Sequence, residues 1–308
     1  MINRILILGT GLIGASTGLA LRANGFTGEI AGFDASASEL ETAQSAGAID
    51  VFARSRADAL DFARTADVIL LAVPVLAILD WMQLLAPVLT DGDGPPQLLT
   101  DVGSTKLQIT EKARELFPSG GEHAGHARFL PGHPMAGKES GGAALAEPTL
   151  FRDAIWLFTP LDAQSDAQSE PSPVQPSPLE QQWRALVAGF GARTLDLAPQ
   201  RHDELCAWVS HLPQMLSTAL AALLEDTFGA DPKSRDEIAA IGGRALRETT
   251  RLGASPYSMW RDVALSNTEP IAATLLALEQ RLQHLRENLR THELREEFTL
   301  ANQFRSRR

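Results

Sequence analysis

The stretch RILILGTGLIG, residues 4–14, decides the fold of this chain. Its apolar part, Arg4–Leu8, is typical of a buried strand, and a helical pattern begins at Leu12. A glycine turn between a strand and a helix lets the pyrophosphate of a dinucleotide approach the backbone at the positive end of the helix. A purely structural glycine turn is the alternative. The pattern predicts a dinucleotide site formed by Gly9, Gly11, Leu12, Ile13 and Gly14.

Asp34 indicates which dinucleotide binds there. It follows the second predicted strand, Glu29–Phe33, and lies 20 residues after Gly14. A carboxylate at this place accepts hydrogen bonds from a ribose diol and repels a 2′-phosphate. The next four residues include no arginine to hold such a phosphate. We therefore expect NAD rather than NADP as the cofactor.

Up to Pro199, short apolar strands alternate with helical stretches, which is typical of an α/β fold. We predict one Rossmann-type, doubly wound parallel sheet that also includes strands Val68–Val73, Gln97–Asp101, Arg128–Pro131, Ala154–Phe158 and Arg193–Leu197. Its predicted helices are Leu12–Asn24, Ser38–Ala46, Val75–Leu89, Thr105–Leu116 and Leu179–Phe190. Residues 162–178 are rich in proline and poor in bulky apolar residues, so we expect a flexible surface insertion there.

After Pro199 the strand signals end. Helices are predicted at His202–Phe228, Ser234–Glu248, Pro256–Ala264 and Thr268–Leu289. Residues 1–198 are thus predicted to form a nucleotide-binding domain and residues 199–308 an all-helical C-terminal domain. The last long helix carries one apolar face, which is explained either by packing within the monomer or by a homodimer interface: Ile271, Leu275, Leu278, Leu282 and Leu285.

Composition narrows the class of partner. The net charge of −11, from 27 basic and 38 acidic residues, argues against nucleic acid or an anionic membrane. The single cysteine, Cys206, excludes an intrachain disulfide and fits a reducing compartment. No run of 18 apolar residues is present, and the uncharged stretch 5–21 contains four glycines, unlike a signal peptide. We expect a soluble cytoplasmic protein with a small-molecule substrate and no metal.

The chemistry is expected where the parallel strands end, because ligands of such sheets bind at that edge. Val73 and Pro74 follow the third predicted strand, Ser104 follows the fourth and His133 follows the fifth. Two prolines and two glycines around His133, in residues 131–137, exclude a helix or a central strand and predict a fixed loop. An imidazole there has a pKa suited to accepting a hydroxyl proton while a hydride leaves the same carbon.

His133 and Ser104 also fit purely structural roles. His133 fits equally a turn whose histidine faces water, and Ser104 fits an N-cap of the Thr105–Leu116 helix.

Five motifs, in this order, resemble the prephenate/arogenate dehydrogenases of tyrosine biosynthesis over about residues 3–290: GTGLIGAS (Gly9–Ser16), DVGSTK (Asp101–Lys106), GHPMAGKES (Gly132–Ser140), VSHLPQ (Val209–Gln214) and TTRLGASPYSMWRDV (Thr249–Val263). The resemblance implies NAD(P)-dependent oxidative decarboxylation of a cyclohexadienol. It also implies a nucleotide-binding domain followed by a helical, dimerising domain.

The resemblance also assigns roles residue by residue. His133 matches the proton acceptor for the C4 hydroxyl, and Ser104 matches a serine that hydrogen-bonds near that hydroxyl and the nicotinamide. Arg251 matches the arginine that holds the ring carboxylate of the substrate. His211 matches a second histidine of the active site, although a helix histidine bonded to a backbone carbonyl is the alternative. Arg251 near Glu248 also fits an ordinary surface arginine.

Three further positions bear on the pocket. Glu139 and Trp260 match residues that line or gate it, and a core tryptophan is the alternative for Trp260. Gln214 stands where many bacterial members have a histidine near the side chain of the substrate. The choice between the keto group of prephenate and the ammonium of arogenate therefore stays open.

We expect an NAD-dependent homodimeric prephenate dehydrogenase that forms 4-hydroxyphenylpyruvate. The alternatives are an arogenate dehydrogenase and a cyclohexadienyl dehydrogenase of dual specificity. A hydroxyacid dehydrogenase would require a catalytic lysine, whereas the sequence offers the histidine motif. A non-catalytic NAD sensor would keep the glycines and Asp34 without needing Ser104, His133 and Arg251 together.

Overall fold

The computed structural model describes residues 1–90, 95–118, 126–161 and 176–307. The predicted flexible insertion falls outside these ranges, except for its last three residues, 176–178. The N-terminal α/β domain is built on a six-stranded parallel sheet in the order β3-β2-β1-β4-β5-β6. Its strands are β1 (Arg4–Leu8), β2 (Glu29–Phe33), β3 (Val51–Phe52), β4 (Val68–Leu71), β5 (Gln97–Asp101) and β6 (Ala127–Leu130).

Both faces of this sheet are covered, which explains why its central strands are continuously apolar. Ile5 and Ile7 of β1 pack into the core on one face, and Leu6 and Leu8 pack into the core on the other. The helices of the domain are α1 (Leu12–Ala23), α2 (Ala37–Ser45), α3 (Arg56–Ala63), α4 (Val75–Thr90), α5 (Leu107–Leu116) and α6 (Pro178–Gly189). The predicted parallel sheet is confirmed, and the short β3 is an addition to it.

The last two predicted strands do not join this sheet, so that part of the prediction is wrong. They are β8 (Ile155–Phe158) and β9 (Arg193–Asp196), and with β7 (Gly132–Pro134) they form a separate three-stranded sheet. β7 pairs antiparallel with β8, and β8 pairs parallel with β9. Trp156 and Phe158 of β8 pack into an aromatic cluster with Trp183. The apolar residues of a strand indicate that the strand is buried, but they do not indicate which other strand it pairs with.

His133 lies in β7 and therefore on an edge strand rather than on a loop, which corrects the predicted loop. The excluded structures, a helix and a central strand, are indeed absent from this segment. Pro134 is tolerated because an edge strand leaves one side of its backbone unpaired.

The C-terminal domain is helical, as predicted. Its helices are α7 (Pro199–Cys206), α8 (Leu212–Phe228), α9 (Pro232–Ile241), α10 (Gly243–Thr250), α11 (Tyr257–Ser266), α12 (Thr268–Glu287) and α13 (Glu293–Ser306). A π-helical turn, Ala207–His211, joins α7 to α8, and a 3₁₀ turn, Arg251–Ala254, follows α10. Pro213 offers no amide to the Val209 carbonyl, which accounts for the widened turn before it.

Packing within the monomer covers only part of the apolar face of α12. Ile271 is buried, whereas Leu282 is 51% exposed. Other large apolar side chains of the helical domain are also exposed, among them Leu223, Leu265, Leu276 and Phe298. No helix in the described ranges is long and apolar enough to cross a bilayer.

Candidate active site

Two adjoining cavities lie where β4, β5 and β6 end. The turn cavity, of about 330 Å³, is lined by the glycine turn and by the segments after β4 and β5. The cleft cavity, of about 360 Å³, lies between the α/β domain and the helical domain. Ser104, His133 and Glu139 line both cavities. The turn cavity also contains Gly11, Leu12, Ile13, Val73 and Pro74, and the cleft cavity also contains His211, Gln214, Arg251 and Trp260.

The three glycines of the turn differ in what an added side chain would meet. Gly9 has φ +96°, and a Cβ there would lie 2.3 Å from the Ala72 carbonyl oxygen. A Cβ at Gly14 would lie 1.9 Å from the Gly9 carbonyl oxygen, so close packing of helix on strand requires a glycine. A Cβ at Gly11 would meet no atom within 4 Å, although Gly11 lines the turn cavity. Gly11 therefore leaves open the space in which a pyrophosphate would approach the backbone, and the turn fits a dinucleotide.

Asp34 is fixed beside this turn. Its Oδ2 accepts a hydrogen bond from the Thr10 amide at 2.8 Å, and its Oδ1 accepts one from the Ser36 amide at 2.9 Å. It lines neither cavity, since it stands farther out, at the end of β2. Each carboxylate oxygen has a second lone pair, which is available to a ribose diol.

Ser104 does not cap α5, so the capping alternative is wrong. The first amides of that helix, those of Lys106 and Leu107, donate instead to Asp203 of α7, at 2.7 and 2.9 Å. Ser104 is thereby left with its side chain in both cavities. Its hydroxyl is thus available to a ligand.

A buried carboxylate, Asp101, ties the two rim segments together. Its Oδ2 accepts from the Gly103 amide at 2.8 Å, and its Oδ1 accepts from the Gly132 amide at 3.0 Å. Lys106 forms a fully buried ion pair with the same carboxylate. Burial lowers the pKa of Lys106, and the adjacent Asp101 opposes that shift. Ser104 and His133 are thus held by one group at fixed positions.

His133 is hydrogen-bonded to a residue that the sequence did not single out. Its Nδ1 lies 2.9 Å from Nε2 of His202 in α7, and Nδ1 of His202 lies 2.8 Å from Oδ1 of Asp203. Burial, followed by the charges of His202 and Lys106, lowers the pKa of His133 well below its ordinary value. Burial also lowers the pKa of His202, although the hydrogen bond that His202 donates to Asp203 acts in the opposite direction. Both imidazoles are therefore neutral near pH 7.

The positions of the protons follow from these partners. The Asp203 oxygen accepts, so His202 carries its proton on Nδ1 and accepts at Nε2. His133 consequently donates from Nδ1, which leaves the lone pair of its Nε2 unshared. The chain Asp203–His202–His133 thus presents a proton acceptor to the cavities that His133 lines.

Cys206 adds a third potential metal ligand next to the two histidines. Its Sγ lies 3.6 Å from Nε2 of His202, and burial raises the pKa of this thiol to about 12. Tetrahedral zinc, with Zn–N bonds of about 2.0–2.1 Å, would separate two nitrogen ligands by roughly 3.3 Å. The observed 2.9 Å between His133 Nδ1 and His202 Nε2 fits a hydrogen bond rather than a pair of metal ligands.

Arg251 and Glu139 form an ion pair across the cleft cavity. Glu248, the neighbour that suggested an ordinary surface arginine, pairs with Arg244 instead. Arg251 therefore reaches from the 3₁₀ turn of the helical domain to the α/β domain, and its guanidinium is held at a site that binds a carboxylate.

His211, Trp260 and Gln214 line the other wall of the cleft cavity. Nδ1 of His211 contacts the side chain of Asn267, and its Nε2 is buried with no hydrogen-bond partner among the described residues, so the carbonyl-bonded alternative is wrong. Trp260 meets the imidazole edge-on at 5.8 Å, and its Nε1 is likewise buried without a partner in the part of the chain that the structure describes. Gln214 donates to the Leu252 carbonyl at 2.7 Å and accepts from Ser255 at 3.2 Å.

His202 and Asp203 are thus the residues that the sequence analysis missed. The adjacent pair His202-Asp203 in the middle of α7 is the available signal, but nothing local connects it to His133, which lies 69 residues away from His202.

Comparison with known proteins finds two family models in this chain. The model described as the nucleotide-binding domain of prephenate dehydrogenase matches residues 17–170. The model described as the dimerization domain of prephenate dehydrogenase matches residues 198–304.

Two curated relatives match most of the chain. A prephenate dehydrogenase of Lactococcus lactis subsp. cremoris is 34% identical over 286 residues, which cover 92% of this chain and 70% of the relative. A prephenate dehydrogenase of Bacillus subtilis is 31% identical over 272 residues, which cover 88% of this chain and 66% of the relative. The chain spans about two thirds of the length of these curated relatives.

Two solved structures are similar over nearly the full length. One is the prephenate dehydrogenase of Aquifex aeolicus in complex with hydroxyphenyl propionate and NAD⁺, with a TM-score of 0.76 and 26% identity, covering 99% of this chain and 96% of that one. The other is the arogenate dehydrogenase of Synechocystis, with a TM-score of 0.71 and 27% identity, covering 99% of each chain.

Proposed function

Since this chain belongs to the prephenate dehydrogenase family, we propose that it converts prephenate to 4-hydroxyphenylpyruvate by NAD-dependent oxidative decarboxylation in tyrosine biosynthesis. The observation that carries the proposal is the meeting of Ser104, His133 and Arg251 in the cleft cavity, next to the glycine turn. In this assignment residues 1–198 bind the nucleotide and residues 199–308 form the helical domain.

NAD would be held by the glycine turn, by Val73 and Pro74 beside it, and by Asp34 at the ribose, and when bound it accepts the hydride. The open face of Gly11 and the two anchored oxygens of Asp34 support this placement. We expect kcat/KM for NAD to exceed that for NADP, because Asp34 repels a 2′-phosphate. Parallel assays with the two cofactors test this expectation, and a preference for NADP would contradict it.

His133 is the base in this mechanism. Its Nε2 accepts the proton of the C4 hydroxyl as the hydride leaves C4, and Ser104 orients that hydroxyl. His202 accepts a hydrogen bond from Nδ1 of His133, and the negative charge of Asp203 stabilises the positive charge that the proton brings. These two residues position the base without contacting the substrate.

Arg251 holds the ring carboxylate of the substrate in place of its present partner, Glu139. Once C4 is a carbonyl, the bond from C1 to the carboxylate breaks and carbon dioxide leaves. The electron pair of that bond passes into the ring, which becomes aromatic. The phenolate oxygen takes back the proton from His133, so charges and protons balance.

We infer also that the protein is a homodimer formed through its helical domain and that it works in the cytoplasm. The match to a dimerization domain and the exposed apolar side chains on α12 and α13 support the dimer. The single buried cysteine supports a reducing compartment.

Formation of NADH with prephenate and with arogenate, measured in parallel by absorbance, tests the proposed reaction. Turnover of prephenate with release of carbon dioxide is the expected result. Inactivity on both substrates would discard the proposal, and activity on arogenate alone would replace it by the arogenate reaction.

A further inference from the structure

One wall of the cleft cavity offers hydrogen-bond donors without partners. Resting on the proposed function, we propose that His211 and Trp260 form a donor subsite for the side chain of the substrate. The subsite would bind the keto oxygen of a 2-oxo acid with both donors and reject the ammonium group that a 2-amino acid carries at that position. Among the described residues, Nε2 of His211 and Nε1 of Trp260 are buried and unpaired, although both residues line the cavity.

Asn267 sets the proton position of His211. Nδ2 of Asn267 lies 2.9 Å from the Asp203 carbonyl oxygen and 3.1 Å from Nδ1 of His211. The carbonyl accepts only, so the atom facing it is the amide nitrogen, and the orientation of Asn267 is fixed. Its second hydrogen points to Nδ1 of His211, which must accept. The neutral imidazole therefore carries its proton on Nε2 and is a donor there.

His211 keeps this neutral form at physiological pH. It is 1% exposed, and burial lowers its pKa to about 4. A protonated ring would still donate from Nε2, so the atom that meets the ligand is a donor in either state. Trp260 donates as well, since an indole nitrogen has no lone pair to offer.

Gln214, which lines the same wall, is held by partners of its own. The oxygen of Gln214 accepts from Ser255, and its nitrogen donates to the Leu252 carbonyl. Gln214 therefore stabilises the turn that carries Arg251, and both of its amide hydrogens and one lone pair of its oxygen are in use. Glu139, which the ring carboxylate of the substrate would displace from Arg251, also lines the cavity but belongs to the α/β domain, whereas His211 and Trp260 belong to the helical domain.

The two side chains of interest differ at one group. A keto oxygen accepts hydrogen bonds from the donor pair, whereas an ammonium has no lone pair and leaves both donors unpaired. A site built to hydrogen-bond one group rejects an analogue that cannot form the bond by large factors. We expect kcat/KM for prephenate to exceed that for arogenate by roughly 10²-fold or more.

The test compares both substrates in the full-length protein and in two variants. Trp260→Phe removes one donor and keeps an aromatic ring, and His211→Phe removes the other. Each variant is expected to shrink the prephenate-to-arogenate ratio of kcat/KM roughly tenfold. Trp183→Phe is the matched control, because it removes another buried, unpartnered indole N–H in the core of the α/β domain. The control should keep the ratio of the unmodified protein.

The outcomes separate this inference from the proposed function. A wild-type ratio below ten, or variants that slow both substrates equally, would overturn the donor subsite while the dehydrogenase stands. If neither substrate is turned over, the proposed function fails. The donor subsite is then tested by measuring the binding of a 2-oxo acid and of a 2-amino acid. Calorimetry with the NAD complex then compares 4-hydroxyphenylpyruvate with tyrosine. Tighter binding of the keto acid supports the subsite, and equal or weaker binding overturns it.

Discussion

A single carboxylate, Asp203, has three tasks at the centre of this molecule. Its oxygens accept from the first amides of α5, its Oδ1 also accepts from His202, and its carbonyl accepts from Asn267. Through His202 it determines which nitrogen of His133 is free, and through Asn267 it is connected to His211. Both histidines of the candidate site are thus oriented from one residue of α7.

The base assignment leads to a first prediction. His133→Asn removes the acceptor nitrogen, so kcat should fall by roughly 10²–10⁴-fold while the affinity for NAD changes little. Steady-state kinetics and NAD titration measure the two effects. His126→Asn, an exposed histidine of the same domain, serves as the control. Near-normal turnover by His133→Asn would show that another group takes the proton.

A second prediction concerns His202, which acts only through His133. His202→Phe removes the acceptor that holds Nδ1–H, so kcat should fall by about tenfold or more with KM nearly constant. His202→Gln supplies a side-chain oxygen and should recover part of the loss. A purely structural role would give equal losses in both variants.

The pH profile of the unmodified protein provides a third prediction. The pKa of His133 is lowered well below the ordinary value of 6.5, so the base stays unprotonated as pH falls through 6.5. The acid limb of kcat/KM should therefore lie below that value. An acid limb above pH 6.5 would contradict the assignment.

At the scale of elements, the glycine turn contains one glycine that the fold requires, Gly14, and one that is expected to matter only for cofactor binding, Gly11. Gly14→Ala should lower Tm by several degrees, because the added methyl would meet the Gly9 carbonyl at 1.9 Å. Gly11→Ala meets no atom within 4 Å, so Tm should stay constant while KM for NAD rises. Thermal unfolding and NAD kinetics on the two variants check this. A loss of stability in Gly11→Ala without a change in KM would refute the assigned cofactor site.

The same elements show what can be predicted from the sequence. The β1–turn–α1 unit is local, and its glycines, strand and helix lie within residues 4–23, so the pattern determines it. The pattern places β8 and β9 in the wrong sheet, because their apolar residues indicate burial and not a partner strand. The position of Ser104 alone favours a helix cap, whereas the actual cap, Asp203, lies 97 residues from Lys106.

In the candidate site, too, residues in local motifs are predictable from the sequence and residues that act through distant contacts are not. His133, Ser104 and Arg251 were found because they lie in recognisable motifs. His202 was missed because its importance comes only from a contact across the two domains. Gln214 lines the cleft cavity, where the sequence leaves the choice of substrate open, and it also hydrogen-bonds to the turn that carries Arg251, which no local pattern predicts.

For the whole molecule, the buried neutral histidines predict a pH-dependent stability. The pKa values of His133, His202 and His211 are lowered by burial, so the unfolded chain binds more protons as pH falls below about 6.5. Stability should be fully present above that pH and decline below it, by up to about 1.4 kcal/mol per pH unit for each extra proton. Urea unfolding at several pH values measures the slope. Constant stability from pH 7 to pH 5.5 would contradict the prediction.

The two domains meet next to the reacting groups. The Thr105 and Ser266 hydroxyls are 2.7 Å apart in a buried contact, and Asp203 holds the start of α5 a few residues away. The cleft cavity is lined from both sides of this junction.

The contact of Asp203 with α5 couples the docking of the helical domain to the orientation of His133. Because Asp203 and His202 both lie on α7, a separation of the helical domain from the sheet would remove both together, and His133 would lose the hydrogen bond that keeps its proton on Nδ1. Such an open molecule would keep its glycine turn, and with it the proposed cofactor site, but would lack the oriented histidine that the proposed reaction requires.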